Sequence, residues 1–458
     1  MNPDRTFQIL TLGCKVNQYE SQYVRELLEN AGWRQTADGT ADLCLVNTCT
    51  VTHEADAKGR QTIRRLHTEN PKAEMVVMGC FATRDPKAVS LLPGVSKVIP
   101  DKSQLAEELA PYGVLPLPQG ISRFDDHQRA FVKVQDGCLL NCSYCIIPSV
   151  RPGMRSRSME DIANEIGRLV SAGYQEVVLT GIHLGHYGLE LSKGLPKDQW
   201  SRLWNLIERL DSLEGDFRVR LSSLEAAEVR EDFLKALKQS KRVVPHLHLC
   251  LQAGSDRVLT AMRRRYRRDS FLDNCQRVRE VLDEPALTTD VIYGFPGENE
   301  ADFEETIDVC RKAGFCKIHL FAYSPREGTD AAKMKETVDP KTKADRRRRL
   351  LEVEADLTRE FQDRMVGRVL DVLVEQPMED RLGWVRGTSC RHLQVGFPGI
   401  YEALRKKRFP IRVTGIEGGQ LVGEPIPGAE SAALENPFKR SLQAGKNGRI
   451  SLDTVPFF

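Results

Sequence analysis

No stretch of this 458-residue chain is apolar enough to cross a membrane: runs such as Met75–Met78 and Val177–Leu179 span a few residues, where a spanning helix needs about twenty. The start lacks the charged-then-apolar layout of a secretion signal, since Asp4 and Arg5 lead straight into a strand-like run. A cytoplasmic location and no membrane partner are therefore expected. Charge of one sign is missing too. With 66 Lys and Arg against 64 Asp and Glu, the net +2 announces no nucleic-acid partner by itself. No repeat recurs at solenoid spacing. Without a secretion signal, the 12 cysteines are not read as a disulfide framework, which leaves metal ligation or buried thiols. What remains, 41% hydrophobic and 28% charged residues, is a soluble globular composition long enough for two or three domains.

The first hundred residues alternate strand and helix. Gln8–Leu12, Leu43–Val46 and Met75–Met78 are strand-like; helices are predicted from an Asn17 cap to about Ala31 and over Ala55–Leu66. This is the pattern of a doubly wound parallel sheet with helices on its faces. Prolines 111, 116 and 118 then mark a linker. Six strand candidates follow, Phe131–Gln135, Glu176–Ile182, Val219–Leu224, Leu247–Gln252, Leu287–Phe295 and Lys317–Tyr323, separated by helical stretches such as Ile162–Ala172, Trp204–Leu213 and Asp302–Ala313. Six strand–helix units predict an open (β/α)6 barrel, with chemistry at the C-terminal strand ends. Lys341–Met365, free of Gly and Pro, reads as a connecting helix. Beyond it, Val369–Glu375, Gly383–Arg386, Leu393–Phe397 and Ile411–Thr414 predict a small β-barrel. The expected division is 1–112, a linker over 113–129, a barrel domain over 130–362, the small β-barrel over 363–428 and a flexible tail over 429–458.

Cys138, Cys142 and Cys145 form a C-x3-C-x2-C triplet directly after the first barrel strand. Four cysteines saturate a four-iron cluster, whereas three leave one iron open to an exogenous ligand. Zinc-binding or purely structural thiols are the alternative. Cys14, Cys49 and Cys80 form no local motif, yet each follows a predicted parallel strand, so the sheet would gather them at its ligand-binding edge. A second open cluster or ordinary buried thiols both fit that placement. Cys44, Cys250, Cys275, Cys310, Cys316 and Cys390 read as small core residues. His183 and His186 lie in a glycine-rich loop whose polarity accounts for them, and His246 and His248 read as packed or solvent-facing on a strand. The Arg263–Arg268 and Arg346–Arg349 runs are either solvated helix faces or phosphate contacts. Five successive strand ends carry Gly, hydroxyl, Glu225 or Gln252 side chains, as a ligand-binding barrel mouth would.

Together these residues resemble the methylthiotransferases of the radical S-adenosylmethionine superfamily. The likeness rests on Thr11-Leu-Gly-Cys-Lys-Val-Asn17, Val46-Asn-Thr-Cys-Thr-Val51, Gly79-Cys80, Gly137 through Pro148, Arg155-Ser-Arg157, Leu221–Glu225, Leu249–Asp256 and Gly294-Phe-Pro-Gly-Glu298, and it runs to about Pro427. The resemblance implies two [4Fe-4S] clusters. One, on Cys138, Cys142 and Cys145, would bind S-adenosylmethionine and yield a deoxyadenosyl radical; the other, on Cys14, Cys49 and Cys80, would carry or supply sulfur. It offers Tyr144, Thr180, Gly181, Ser223, Glu225, Gln252, Arg264 and Phe295 as cofactor contacts. It identifies the C-terminal barrel as the RNA-binding domain called TRAM. The implied partners are a tRNA anticodon stem-loop and an electron donor such as flavodoxin or ferredoxin.

Lys15 and Val16 resemble the group acting on N6-threonylcarbamoyladenosine-37; the N6-isopentenyladenosine group usually carries Gln and Met there, and a third group modifies a ribosomal-protein aspartate. Arg151-Pro152-Gly153 departs from the family's usual Arg-Gly. Two other classes are an iron–sulfur RNA-binding protein without catalysis and an electron carrier. The absence of a fourth cysteine near either triplet disfavours the carrier.

Overall fold

The computed structural model describes residues 5–36, 40–117, 120–125, 127–335 and 338–426. The chain folds as two compact units, one through Phe361 and one from Gln362. The tail expected over 429–458 lies outside the described residues, as do positions 118, 119 and 126 of the expected linker.

The first unit opens with β1 (Thr6–Thr11), α1 (Lys15–Asn30), β2 (Arg34–Gln35), β3 (Leu43–Thr48), α2 (His53–Glu69), β4 (Glu74–Gly79), α3 (Cys80–Arg84) and β5 (Val95–Val98). The strands form one parallel sheet in the order β2-β1-β3-β4-β5. Every residue of β3 is buried, as expected of a central parallel strand covered on both faces. Its period-two alternation shows in the packing. Leu43 and Leu45 join the cluster with Val24, Leu27 and Leu28 of α1, while Cys44 and Val46 join the one with Ile63 and Leu66 of α2. Helix α1 starts earlier than expected, with Cys14 at its cap. Asn17 is spent elsewhere: its side-chain amide donates to the carbonyls of Leu12 (2.9 Å) and Thr48 (3.1 Å), lacing the ends of β1 and β3 together.

The same unit continues through β6 (Ala130–Asp136), β7 (Arg155–Ser156), β8 (Glu176–Gly181), β9 (Arg218–Leu221), β10 (Leu224–Glu225), β11 (His246–Cys250), β12 (Ala286–Tyr293) and β13 (Lys317–Ala322). These form two arcs, β7-β6-β8-β9 and β10-β11-β12-β13. All pairs are parallel except β7 with β6. The strand expected over Val219–Leu224 is broken at Ser222-Ser223, and a single bridge from Val219 to Val243 spans the arcs. Val132 and Val134 pack with Ile162 and Ile166 of the following helix. At the strand starts, Glu176 is enclosed by Arg129, Arg218 and Arg220.

The arginine runs are mixed: Arg264 and Arg346 are buried, whereas Arg263, Arg265, Arg267, Arg347 and Arg348 are exposed, as on a solvated face. Arg346 is buried on Glu298 (2.7 Å), Arg348 pairs with Asp345 and Glu352, and Arg349 pairs with Glu300 and Glu304. In the other run, Arg264 turns inward and Arg263 pairs with Asp330.

The second unit is a closed barrel, β14-β15-β16-β18-β17, built from β14 (Val369–Pro377), β15 (Trp384–Ser389), β16 (Gln394–Pro398), β17 (Arg408–Glu417) and β18 (Gln420–Pro425). Strand β18 was not foreseen in the sequence. Its signal is Gly418-Gly419, both left-handed (φ 54° and 77°), the glycine pair of a tight hairpin turn.

Candidate active site

The loop after β6 is shaped by Gly137. Its φ is 76°, and a Cβ there would overlap the carbonyl oxygen of Gly153, so the Arg151-Pro152-Gly153 segment lies directly against the loop. Cys138, Cys142 and Cys145 line one cleft with Tyr144, Ser223, Glu225, Gln252 and Arg264; it holds about 570 Å³ of non-atom space, its open mouth included. Arg264 reaches in from the far wall, its Nη1 3.3 Å from Cys142 Sγ and its Nη2 3.2 Å from Glu225 Oε1. The Leu140 amide donates to Cys138 Sγ (3.4 Å), and His183 Nδ1 stands 3.8 Å from the same sulfur. Burial raises the Cys138 thiol and pushes Cys145 up to about 12, and each is raised further by the charge of its neighbouring thiols. The three sulfurs thus share one electrostatic environment. Burial, then His186, pushes His183 down to about 3, so its imidazole is neutral.

The second triplet assembles from the sheet edge. Cys14 caps α1, Cys49 follows β3, and Cys80 opens α3 after β4. Their charges couple: Cys80 acts on Cys14, and both Cys80 and Cys14 act on Cys49. Burial is the largest influence on Cys14 and Cys49, raising the first and pushing the second up to about 11. Cys14 is nevertheless solvent-accessible.

Arg151 joins the two triplets. Its buried guanidinium donates to Glu20 (2.8 and 2.9 Å) and Asn17 (2.8 Å) of α1 and to Asp136 (2.9 Å) at the end of β6. Buried Arg326, beyond β13, likewise donates to Asp56 (2.7 Å) and Thr50 (3.0 Å). Cys80 packs with Ile146 and Val150 from the barrel loop. A second cavity of about 720 Å³, open mouth included, is lined by Val51 and Thr52 after β3 and by Tyr144, Cys145, Ile146, Gln252, Ile292, Phe321 and Tyr323.

Of the expected cofactor contacts, Tyr144, Ser223, Glu225, Gln252 and Arg264 line the cysteine cleft. Thr180, Gly181 and Phe295 do not. Thr180 is buried at the end of β8, Gly181 abuts Gln135, and Phe295 is fully buried edge-on against Tyr323, 5.4 Å away. Gln252 adopts a left-handed backbone (φ 62°) while pairing with Asp290 and Ile292 of β12. Cys250 is not the core residue expected: it is half-buried and lines the cleft. His183 also lines it, and the polarity of its loop gave no hint of that position.

Residues 132–310 match the model of the Radical SAM superfamily, and residues 6–99 match that of Uncharacterized protein family UPF0004. The chain is 36% identical to the threonylcarbamoyladenosine tRNA methylthiotransferase MtaB of Bacillus subtilis, over 86% of this chain and 91% of that protein. Identity is also 36% to the tRNA-2-methylthio-N(6)-dimethylallyladenosine synthase of Mycolicibacterium paratuberculosis, over 81% of this chain and 76% of that protein. The fold is shared with the radical S-adenosylmethionine methyltransferase TsrM of Kitasatospora setae, at a TM-score of 0.54 and 14% identity over 72% of this chain and 77% of that one.

Proposed function

The chain belongs to the methylthiotransferases of the radical S-adenosylmethionine superfamily, and we propose that it adds a methylthio group to C2 of N6-threonylcarbamoyladenosine-37 in tRNA. The observation that carries this reading is one cavity bounded by Cys145 on one side and by Val51 and Thr52, just past Cys49, on the other. A substrate base there would touch Cys145 of the first set and the segment that follows Cys49 of the second. Lys15 and Val16 support the threonylcarbamoyl substrate.

The donor sets suit iron–sulfur clusters. Each set offers three thiols, Cys250 lining the first cleft from outside its motif, and Arg264 and the Leu140 amide already point hydrogen-bond donors at Cys142 and Cys138 sulfur, as ligated thiolates require. Cys138, Cys142 and Cys145 would hold one [4Fe-4S] cluster and Cys14, Cys49 and Cys80 the other. Bound there with S-adenosylmethionine, the two clusters supply one-electron chemistry able to break an aromatic C–H bond, and a sulfur to replace the hydrogen.

The protein's own contribution is position and shelter. Tyr144, Ser223, Glu225, Gln252 and Arg264 orient the cofactor's polar groups, with Arg264 held in place by Glu225. Ile146, Ile292 and Phe321 give the second cavity apolar walls that suit a flat base and exclude water. In this reading residues 1–112 carry the sulfur-supplying centre, 130–362 generate the radical, and the barrel over 363–428 contacts the anticodon stem-loop. An electron donor such as flavodoxin or ferredoxin completes the system.

The test is anaerobic reconstitution of the full chain with S-adenosylmethionine, reductant and stem-loops bearing either threonylcarbamoyl- or dimethylallyl-adenosine, followed by nucleoside mass spectrometry. Methylthiolation of the first supports the proposal. Exclusive methylthiolation of the second, or of neither, overturns it.

A further inference from the structure

The two N6 substituents named for the relatives differ at their tips. Dimethylallyl is hydrocarbon; threonylcarbamoyl carries a carboxylate, a hydroxyl and urea N–H groups. The second cavity is mostly apolar, with Asp290 as its one ionisable carboxylate. Around Asp290, three neighbouring strands bring His248, Asp290 and His319 together, one ligating atom of each lying within 4.8 Å of the others. Register explains the grouping: Asp290 pairs with His319 and Thr288 with His248, and residues two apart share a face. His248 Nδ1 lies 3.0 Å from Thr288 Oγ1. Its Nε2 stands 3.3 Å from Asp290 Oδ1 yet lacks hydrogen-bond alignment, so it orients Asp290 by charge and proximity.

Lys15 opens α1, directly after Cys14. Its ammonium is within electrostatic range of Asp290, and it acts on His319 in turn. Its side chain is solvent-accessible, and among the described residues it makes no hydrogen bond or ion pair. A two-His, one-carboxylate set also suits a divalent cation, but the Lys15 ammonium, within range of Asp290 and His319, favours an anion.

Resting on the substrate assignment above, we propose that this polar face reads the N6 substituent: Lys15 and His319 receive its carboxylate, and Asp290, positioned by His248, accepts a hydrogen bond from its urea N–H. A hydrocarbon substituent would desolvate Lys15 and Asp290 and offer neither a ligand contact, which selects against it.

The experiment uses reconstituted enzyme and three stem-loops, carrying threonylcarbamoyladenosine, its threonyl methyl ester, or dimethylallyladenosine. Dissociation constants come from fluorescence anisotropy and kcat/KM from nucleoside mass spectrometry. Wild type should prefer the free acid over the ester by about tenfold to a hundredfold, the size of one charge-assisted contact. Lys15→Met and His319→Phe, on separate elements, should each shrink that ratio toward one, and the ratio cancels any general loss of fold or cluster. If wild type methylthiolates threonylcarbamoyladenosine but both variants keep the wild-type ratio, this inference alone falls. If wild type accepts only dimethylallyladenosine, the substrate assignment falls with it.

Discussion

The two cysteine triplets reach similar ends by opposite routes. Cys138, Cys142 and Cys145 lie within one loop, so their convergence is written locally and needs only the turn at Gly137. Cys14, Cys49 and Cys80 are brought together by topology. Parallel register sets Thr11 beside Asn47 and Asn47 beside Met78, and each cysteine follows its residue of that row by two or three positions. A local triplet can persist while surrounding structure loosens; a distributed one exists only while the whole sheet is in register. The distributed set should therefore be the more sensitive to distant substitutions.

The sharpest break between the two is functional. Cys142→Ala should abolish reductive cleavage of S-adenosylmethionine, read as loss of 5′-deoxyadenosine by chromatography, and with it all product. Cys49→Ala should leave that cleavage in place and eliminate methylthio insertion, read by mass spectrometry of the RNA nucleosides. Methylthiolated product from Cys49→Ala would show that the second triplet is not the sulfur-supplying centre.

Arg151 probes how tightly the two regions are joined. Arg151→Met would leave Glu20 without its closest partner in a buried site, retaining only Lys133 at 3.1 Å. Removing one partner of a buried pair costs about 3–5 kcal/mol, measurable as a lower midpoint in anaerobic denaturant titration. Because Asn17 also loses a partner, the Cys14 side should suffer first. Equal loss of iron from both sites at low denaturant would argue against the contrast between local and distributed triplets.

The same contrast governs what the sequence disclosed. The parallel sheet, the open barrel and the spacing of the barrel triplet were legible because periodicity and short-range motifs are local properties. The Cys14, Cys49 and Cys80 grouping was legible only through the rule that parallel strands place their C-terminal ends along one edge. What escaped reading depends on tertiary neighbours. Nothing in the residues around Cys250 or His183 says that they face a cleft, and Asn17 looks like a helix cap until its amide is seen tying two strands. The arginine runs split for a related reason: four consecutive arginines on a helix point in all directions, so Arg346 is buried on Glu298 while Arg347 and Arg348 lie on the solvated face. The strand break at Ser222-Ser223 likewise depends on how the two arcs meet.

The smallest expected effect compares two buried Glu–Arg joints. Glu20 is opposed by burial but faces both Arg151 and Lys133, and its carboxyl is held below its ordinary range. Glu298 is ion-paired with Arg346, has Arg257 only at longer range, and accepts from the Gly294 amide (2.6 Å); burial wins, lifting it from 4.5 to about 7. The signs therefore differ. Folded Glu298 keeps a proton that the unfolded chain releases above about pH 4.5, so its contribution to stability is fullest below that pH and is lost as pH rises toward 7. Glu20 behaves in reverse, its contribution being lost as pH falls below the ordinary carboxyl range. The stability of wild type relative to Glu298→Gln should accordingly fall by up to about 3 kcal/mol between about pH 5 and pH 8, measured by chemical denaturation at each pH. A difference that stays flat, or grows with pH, would mean that one arginine suffices to keep this carboxylate ionised and that the two joints are alike.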